Sequence, residues 1–375
     1  MKQLSNPFVI GKYVGKDYFC DREKESELLV HHISNGRHVT LMSERRLGKT
    51  GLIEHVFTNC LPADYETFLI DIYTCKNLRE MVYMLANEVF KKIAKRQPLL
   101  ERLLHIVRSL KTTFTYDAVT GLPELGLKLG EIHQPEVTLD EIFHYLETSE
   151  KVCVVAIDEF QKIASFEEDN IEALLRTKIQ HLKNTQFIFA GSERHLMEDI
   201  FSDPARPFYN SVVFMQLLSI DKDEYTKFCQ RLFSLHDKTV SEELVSRLYS
   251  CFQGITWYLQ LSMNEAFTLA EKGGHVGEEV YDQVLNHMVD SKRFTFEDRY
   301  ASLTEKQKSV LLAVAAEFPK APTLTSQEFI AKYNLKTASS VQTAVRGLIE
   351  KGILSDNHGS KRPTDLLFIL WLKKY

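Results

Sequence analysis

Three consecutive residues, Gly48, Lys49 and Thr50, have the spacing of a phosphate-binding loop. In the pattern G-x-x-x-x-G-K-[ST], backbone N–H groups surround the phosphates, the lysine reaches the β- and γ-phosphates, and the hydroxyl holds Mg²⁺. The chain has Ser43 where the pattern has its first glycine, a change that costs backbone freedom but adds no bulk against the phosphate. The predicted nucleotide contacts of this loop are Ser43, Arg45, Arg46, Leu47, Gly48, Lys49, Thr50 and Gly51.

A second stretch supplies two carboxylates. Val152 to Ile157 is a continuous apolar run, typical of a parallel strand buried on both faces, and Asp158 and Glu159 follow it. Asp158 is expected to hold Mg²⁺, directly or through water. Glu159 is expected to orient and deprotonate an attacking water, which a protein that only binds nucleotide does not need. The loop and this acidic pair together predict ATP hydrolysis.

The elements around these residues predict the fold that must position them. "HVTLMS" before the loop is β-rich, and "KTGLIEHVF" after it has helical spacing. Three more β-rich runs, at residues 67–74, 185–192 and 211–218, alternate with segments of helical periodicity. We therefore expect a doubly wound α/β fold with a five-stranded parallel sheet of the P-loop type.

Three residues later in the chain are candidates for reading or neutralising the γ-phosphate. Ser192, at the tip of the fourth strand, is expected either to face the γ-phosphate as a sensor or to cap the next helix. Arg194 and Arg206 are candidates for stabilising the leaving phosphate, in cis or from a neighbouring subunit of a homo-oligomer. No [NT]-K-x-D guanine motif follows the core, which favours ATP over GTP.

The composition argues against a membrane-spanning, secreted, zinc-binding or disulfide-linked protein. The chain has 375 residues, 44% of them hydrophobic and 26% charged, enough for two or three domains. No stretch is long and apolar enough to span a membrane, and the first residues have no signal-peptide core, so we expect a cytoplasmic protein. Six scattered cysteines without a C-x-x-C pair predict small core residues rather than zinc ligands or disulfides.

Charge and periodicity divide the chain into three parts. The net charge is −5, yet residues 300–375 carry about five more Lys and Arg than Asp and Glu. We expect an ATPase core at residues 1–218, with an exposed hairpin insert at 111–137. Residues 219–290 have helical spacing and predict a small helical lid, which could relay nucleotide state to the next domain.

The basic part, residues 291–375, predicts a winged helix-turn-helix. "TEKQKSVLLAVAAEF", "TSQEFIAKYN" after an N-cap at Thr325 or Ser326, and "ASSVQTAVRGLIEKG" ending at Gly352 are its three helices. "ILSDNHGSKRPTDLLFILWL" predicts a hairpin wing with its turn near Asn357 to Pro363, followed by a segment that returns toward the helices. The partner is double-stranded DNA or a protein. The candidate DNA contacts are Ser339, Ser340, Gln342, Thr343, Arg346, Lys361 and Arg362.

Nearly the whole chain resembles the P-loop ATPases of the AAA+/STAND type found in archaea and Bacteroides-like bacteria, often called archaeal-type ATPases. The shared stretches are "NPFVIGKYV" with "DYFCDREKESELL", "SERRLGKTGL", "VVAIDEF", "FAGSERHLM" with "PARPFY", "GITWYLQ" and "DLLFILWL". The resemblance implies that serine is tolerated at position 43. It also implies an adenine pocket lined by a box at residues 1–30, which places Phe19, Asp21 and Arg22 near the base. The lid motif G-x-P, which faces the nucleotide in that family, reads Gly254, Ile255, Thr256 here.

Three functions are compatible with these residues. The first is an ATP-hydrolysing switch with a DNA-binding domain, acting in gene regulation, replication-like loading or mobile-element defence. The second is a STAND-like signalling ATPase whose winged helix docks a protein. The third is a nucleotide-binding scaffold with negligible hydrolysis. The presence of Lys49, Thr50, Asp158 and Glu159 argues against the third.

Overall fold

The computed structural model describes residues 4–93, 132–357 and 360–375, together with the backbone of two short strands between 93 and 132. These residues form two compact units. The first, the core unit, is Arg22–Leu218, and the second, the helical unit, joins the segment up to Asp21 to Ser219–Tyr375. None of the helices within the described ranges is long and apolar enough to cross a membrane.

A parallel sheet of five strands organises the core unit, as the sequence predicts. Its strands are β1 Val39–Met42, β2 Tyr65–Asp71, β5 Val152–Asp158, β6 Thr185–Gly191 and β7 Val213–Gln216. Their spatial order is β2-β5-β6-β1-β7, so β6 lies between the strand before the phosphate loop and the strand before the acidic pair. The carboxyl ends of parallel strands share one edge of the sheet, and the loop and the acidic pair therefore meet there.

Helices cover this sheet: α1 Glu23–Ser34, α2 Lys49–His55, α3 Leu78–Ile93, α4 Pro135–Glu147, α5 Ile171–Ile179 and α6 Arg194–Ser202. The apolar runs that predict β5 and β6 are buried almost throughout, because they pack in the middle of the sheet. Four aromatic rings pack against one another next to the end of β5 that carries the acidic pair, with centroids 4.5 to 5.7 Å apart: Phe160, Phe189, Phe201 and Phe208. The edge that carries the site therefore rests on a rigid aromatic core.

The predicted insert at 111–137 contains a strand pair. β3 Phe114–Tyr116 runs antiparallel to β4 Pro123–Leu125. The remaining insert residues up to 131 lie outside the described part of the chain. The predicted end of the insert, at 137, is too late, because α4 starts at Pro135. Proline is favoured in the first turn of a helix, where no hydrogen bond from its nitrogen is required.

The helical unit begins with the helices of the predicted lid: α7 Lys222–Ser234, α8 Glu242–Cys251, α9 Thr256–Leu269 and α10 Tyr281–Asp290. Two short strands, β8 Thr239–Val240 and β9 His275–Val276, pair in parallel between them. The sequence did not indicate these strands, because two residues are too few for a periodic signal.

The N-terminal segment packs with this helical unit, although we expected it in the ATPase core. Phe8 is fully buried, and its ring lies 5.6 to 6.3 Å from those of Phe228, Phe233 and Phe267. Asn264 Nδ2 donates to the Phe8 carbonyl at 2.7 Å. Burial of a phenylalanine ring stabilises by roughly 2 kcal/mol, which explains why the apolar "NPFV" stretch joins this unit.

The predicted winged helix follows: α11 Arg293–Ala301, α12 Glu305–Glu317, α13 Gln327–Lys332, α14 Ala338–Glu350, the wing strands β10 Leu354–Asn357 and β11 Ser360–Pro363, and α15 Leu366–Lys374. Of the two candidate caps for α13, Ser326 is the one used, since its hydroxyl accepts from Phe329 N–H at 3.2 Å. Gly352 follows α14 at φ 64°, the left-handed conformation that favours glycine.

Two details of the wing differ from the prediction. The turn is shorter than 357–363, because Ser360–Pro363 already pairs antiparallel with β10. The segment after it is the helix α15, apolar on nearly all sides and buried. One apolar core runs from Phe8 through α7–α10 to α15, so residue 290 does not separate two cores.

Candidate nucleotide site

The phosphate loop connects β1 to α2 through a left-handed turn. Gly48 has φ 94° and precedes α2, and Arg46 has φ 70°. At Gly48 this φ strains any residue with a Cβ. Ser43 is not among the described residues with positive φ, and its hydroxyl donates to the Glu44 carbonyl at 2.9 Å. The backbone therefore favours glycine at position 48 but not at position 43.

Lys49 connects the loop to the acidic pair. Its Nζ lies 3.6 Å from Asp158 Oδ1 and 3.6 Å from Glu159 Oε1, and Lys49 and Asp158 are 7% and 5% exposed. Thr50 Oγ1 donates to Asp158 Oδ2 at 2.5 Å. The lysine that should bind phosphate and the hydroxyl that should bind a metal are thus both paired with the carboxylates of β5.

The same pair of oxygens fits a magnesium site. Mg²⁺ binds oxygen at about 2.0–2.1 Å in octahedral geometry and keeps most of its other ligands as water and phosphate. Thr50 Oγ1 and Asp158 Oδ2 are the protein oxygens that would hold the ion, which would supply positive charge beside the phosphates. Across the described ranges, no group of three or more His, Cys, Asp or Glu side chains is placed to hold a metal ion.

Glu159 leaves β5 in the left-handed conformation, with φ 56°. Its N–H donates to Asp158 Oδ1 at 2.9 Å, which stabilises this turn and directs both side chains to the same edge. Glu159 Oε2 accepts from Ser192 Oγ at 2.8 Å and from Gln161 Nε2 at 2.6 Å. Ser192 therefore contacts the candidate base, and its sensor role toward phosphate remains a prediction.

Arg45 extends from the loop to the tip of β6. Its Nε donates to Ser192 Oγ at 3.4 Å, and its Nη2 lies 3.4 Å from Glu193 Oε1. Because the arginine is more than half exposed, this ion pair is weak. Incoming phosphate could therefore displace Glu193 from Arg45 at little cost.

Arg22 is buried beside the loop, with 4% exposure and φ 97°. Its Nη1 donates to Glu25 Oε1 at 2.6 Å, and its Nη2 donates to the carbonyls of Leu218 at 2.7 Å and Leu47 at 3.5 Å. Arg22 thus contacts the phosphate loop through Leu47, and its place at the adenine remains a prediction.

The other three residues expected near the nucleotide, Phe19, Asp21 and Gly254, belong to the helical unit. Phe19 packs edge-to-face on Tyr13 at 5.6 Å. Gly254 has φ 72°, and a Cβ there would lie 2.7 Å from Tyr249 Oη. Glycine at 254 therefore has a structural cause, and contact of these three residues with nucleotide remains a prediction.

The two candidate arginine fingers have other partners. Arg194 pairs with Glu198 one turn along α6 at 2.7 Å. Arg206 pairs with the buried Glu172 at 2.5 Å, and burial raises the pKa of Glu172 while Arg206 opposes that shift. Within the described ranges neither arginine forms a hydrogen bond or ion pair with the loop, Asp158 or Glu159. Their catalytic role remains a prediction.

Sequence reasoning missed two polar residues at this edge, Gln161 and Asp71. Asp71 ends β2 and lies opposite Asp158 in the strand register. Burial raises the pKa of Asp71; the Tyr73 N–H opposes that shift, and the charges of Asp158 and Glu159 add to it. The signal for Asp71 was available, since it follows an apolar run as Asp158 does. Gln161 lies beyond the motif and had no signal.

The candidate DNA contacts lie on the winged helix as predicted, but not all are equally accessible. Ser339, Gln342, Thr343 and Arg346 are exposed along α14, whereas Ser340 is half-buried. Arg362 is exposed on β11. Lys361 forms an ion pair with Asp356 across the wing, which reduces the positive charge that the wing presents.

Comparisons with known proteins match the winged helix by itself and nearly the whole chain by fold. The family model described as "Probable winged helix domain" matches residues 294–374. A Walker-type ATPase of Pyrococcus abyssi superposes with a TM-score of 0.66 at 18% identity, covering 98% of this chain and 99% of that one. The ORC2 protein of Aeropyrum pernix, in complexes with ADPNP and ADP, gives a TM-score of 0.60 at 12% identity, covering 98% and 96%.

The chain has a P-loop ATPase fold. It carries a winged helix domain at residues 294–374, and the likeness to P-loop ATPases in fold that the sequence indicated is confirmed. In sequence, the chain is similar to an uncharacterized ATP-binding protein of Methanocaldococcus jannaschii, with 23% identity over 199 residues. That match spans 49% of this chain and 48% of the relative. At these identities the structural likeness concerns the fold.

Proposed function

We propose that this protein binds ATP with Mg²⁺ and hydrolyses it slowly, and that its winged helix binds DNA under control of the nucleotide state. The observation that carries the first part is the convergence of Lys49, Thr50, Asp158 and Glu159 at one edge of the sheet. The ATP-binding name of the Methanocaldococcus relative supports the choice of nucleotide.

Each of these four residues has one role in the proposed reaction. Backbone N–H groups of the loop and the Lys49 ammonium bind the β- and γ-phosphates, while Thr50 and Asp158 hold the metal. Bound Mg²⁺ offsets negative charge on the phosphates. Glu159 accepts a proton from the water that attacks the γ-phosphorus, and the ADP oxygen leaves on the opposite side. Ser192 contacts Glu159, and Arg45 contacts Ser192, at the edge where the γ-phosphate is expected.

The substitution Glu159→Gln tests the hydrolytic part. The amide keeps the shape of the carboxylate but cannot accept the proton, so turnover should fall about 10²- to 10⁴-fold while ATP affinity is retained. Steady-state phosphate release and nucleotide titration measure the two quantities. Asp203→Asn, an exposed carboxylate on the loop after α6, is the control. Equal hydrolysis by Glu159→Gln and the parent protein would reject Glu159 as the base.

For the second part, the face of α14 supports DNA as partner. Its exposed side chains from Ser339 to Arg346 are polar or positive, and none is acidic. The ORC1 protein of Aeropyrum pernix, solved in complex with DNA, has a similar fold with a TM-score of 0.50 at 12% identity, covering 96% of this chain and 94% of that one. We expect the winged helix of this protein to contact DNA mainly through its phosphates, so its binding to DNA should be weak and poorly sequence-specific.

Protein docking is the alternative for the winged helix, as in STAND-like signalling or defence ATPases. The Lys361–Asp356 pair favours it, because a wing that neutralises its own lysine offers less charge to a phosphate backbone. Absence of duplex binding at low salt, with and without ATP, would support this alternative.

A further inference from the structure

We propose that Gln161 is a positioning residue for ATP hydrolysis: its amide fixes one oxygen of the Glu159 carboxylate and thereby aims the other at the attacking water. This inference rests on the proposed function, because it assigns a partner to the proposed base. Gln161 lies outside the phosphate-loop pattern and the acidic pair. It is found only through its contact with Glu159.

The contact is short and buried. Gln161 is 2% exposed, and its Nε2 donates to Glu159 Oε2 at 2.6 Å. Ser192 Oγ donates to the same oxygen at 2.8 Å. A carboxylate oxygen accepts about two hydrogen bonds in its plane, so Oε2 is saturated. The remaining oxygen, Oε1, faces Lys49 Nζ at 3.6 Å. When the lysine turns to phosphate, Oε1 is the oxygen left to accept the proton.

Gly191 leaves room for the side-chain amide of Gln161. A Cβ on Gly191, at the end of β6, would lie 2.7 Å from Gln161 Oε1 and 2.4 Å from Met197 Sδ, so glycine leaves the space that the amide occupies. The orientation of the amide follows from chemistry, since a reversed amide would place an oxygen against the carboxylate.

The other end of the amide distinguishes positioning from simple core packing. Gln161 Oε1 is buried without a hydrogen-bond partner in the described part of the chain. An unpaired buried acceptor is destabilising, and an apolar side chain of the same size would avoid that cost. The amide therefore reduces stability at one end while it holds the proposed base at the other, which favours a role in hydrolysis.

The test is the substitution Gln161→Met, which keeps the volume and removes the donor. The matched control is Gln186→Met: Gln186 is another buried glutamine with an unpaired Oε1, but it lies at the start of β6, away from the site. We expect kcat for Gln161→Met to fall between about ten- and a hundredfold, less than the loss of the base itself. ATP affinity should stay within about twofold, and Gln186→Met should not change kcat.

A double-mutant measurement excludes a purely structural effect, and a second variant replaces Gln161→Met if it does not fold. Single-turnover hydrolysis with excess enzyme should show no additional loss when Gln161→Met is added to Glu159→Gln, because the amide acts through the carboxylate. Gln161→Asn, which is smaller and keeps an amide that cannot reach Glu159, replaces Gln161→Met if that variant does not fold, and the same fall in kcat is expected.

The outcomes separate this inference from the proposed function. A kcat within twofold of the parent for Gln161→Met, an equal loss in the Glu159→Gln background, or an equal loss in Gln186→Met would each overturn the positioning role. If Glu159→Gln loses turnover and Gln161→Met does not, only the role of Gln161 is rejected. If Glu159→Gln hydrolyses ATP as the parent does, the proposed function itself fails.

Discussion

Lys49 connects the phosphate loop to the acidic pair in the candidate nucleotide site. It is buried and lies 3.6 Å from each of two carboxylates, so it compensates negative charge that would otherwise repel a polyphosphate. Desolvated charge pairs of this kind are costly to break, because the partner is left buried without compensation. We therefore expect the same lysine to contribute to the stability of the protein alone and to its affinity for phosphate.

Lys49→Ala should abolish the stabilisation of the protein by ATP and Mg²⁺. Binding raises the free energy of unfolding by RT ln(1 + [L]/Kd), about 2.7 kcal/mol at a hundredfold excess over Kd, and this increment vanishes if binding is lost. Thermal denaturation with and without ATP measures the increment. The control Lys178→Ala removes an ion pair with Asp140 on the surface of the core unit and should keep it. An unchanged increment in Lys49→Ala would place the nucleotide elsewhere.

At the scale of elements, β1 is held between β6 and β7, and a histidine secures its start. His38 Nδ1 accepts a hydrogen bond from Phe187 N–H at 3.1 Å, and the His38 carbonyl accepts from Val213 N–H at 2.8 Å. Burial, helped by the charge of Arg176 on α5, lowers the pKa of His38 from 6.5 to about 4. The neutral ring is the form that can accept this hydrogen bond.

Acidification should destabilise the core unit through His38. Because the folded-state pKa lies below the unfolded value, stability is fully present above pH 6.5 and is lost as pH falls toward 4, by up to roughly 3 kcal/mol. Chemical denaturation between pH 7.5 and 4.5 measures this loss. His38→Asn keeps an acceptor near the position of Nδ1 and does not titrate, so its stability should depend less on pH. Exposed His181→Asn is the control, and identical pH profiles for the parent and His38→Asn would contradict the assignment.

At the scale of the whole molecule, the chain passes between its two compact units twice, after Asp21 and after Leu218. Arg22 and Leu218 are the first and last residues of the core unit. A hydrogen bond of 2.7 Å from Arg22 Nη2 to the Leu218 carbonyl connects them. In the helical unit, Tyr258 on α9 donates to Asp365 at 3.1 Å and accepts from Leu366 N–H at 2.9 Å at the start of α15. The predicted lid and the winged helix therefore share one core, and we expect them to respond to nucleotide together.

DNA binding by the winged helix should be steep in salt. If Arg346, Lys361 and Arg362 each contact one phosphate, log K should fall against log salt with a slope of about −0.9 per contact, near −3 in all. Fluorescence anisotropy of a labelled duplex across a salt series measures this slope. Charge reversal at Lys361 and Arg362 should flatten it by about two contacts, without changing ATP hydrolysis in the absence of DNA, because both residues lie outside the core unit.

Three more variants sharpen that measurement. Asp356→Asn should tighten binding, because it releases Lys361 from its ion pair. Lys272→Glu, an exposed lysine outside the winged helix, should leave the slope unchanged. Arg346→Ala weakens all sequences alike if it contacts phosphate and alters sequence preference if it contacts a base. A slope that is insensitive to the wing substitutions would remove the wing from the interface.

The local features of this protein were determined by short stretches of sequence. Gly48, Lys49 and Thr50 predict the loop, and the apolar run before Asp158 predicts its strand. Ser326 and Gly352 mark helix ends because capping and left-handed turns depend on a few adjacent residues. The five-stranded parallel sheet followed from such signals in combination, since buried strands that alternate with helices have few alternatives.

Tertiary structure decided which distant groups meet. Glu159, Gln161, Ser192 and Arg45 come from three segments of the chain, and their contacts depend on β6 lying between β1 and β5. No periodicity in the sequence encodes such pairings, because each depends on strand order and side-chain rotamers together. The docking of Phe8 into the helical unit and the pairing of Lys361 with Asp356 arose in the same way, from apolar burial and charge proximity that exist only once the chain has folded.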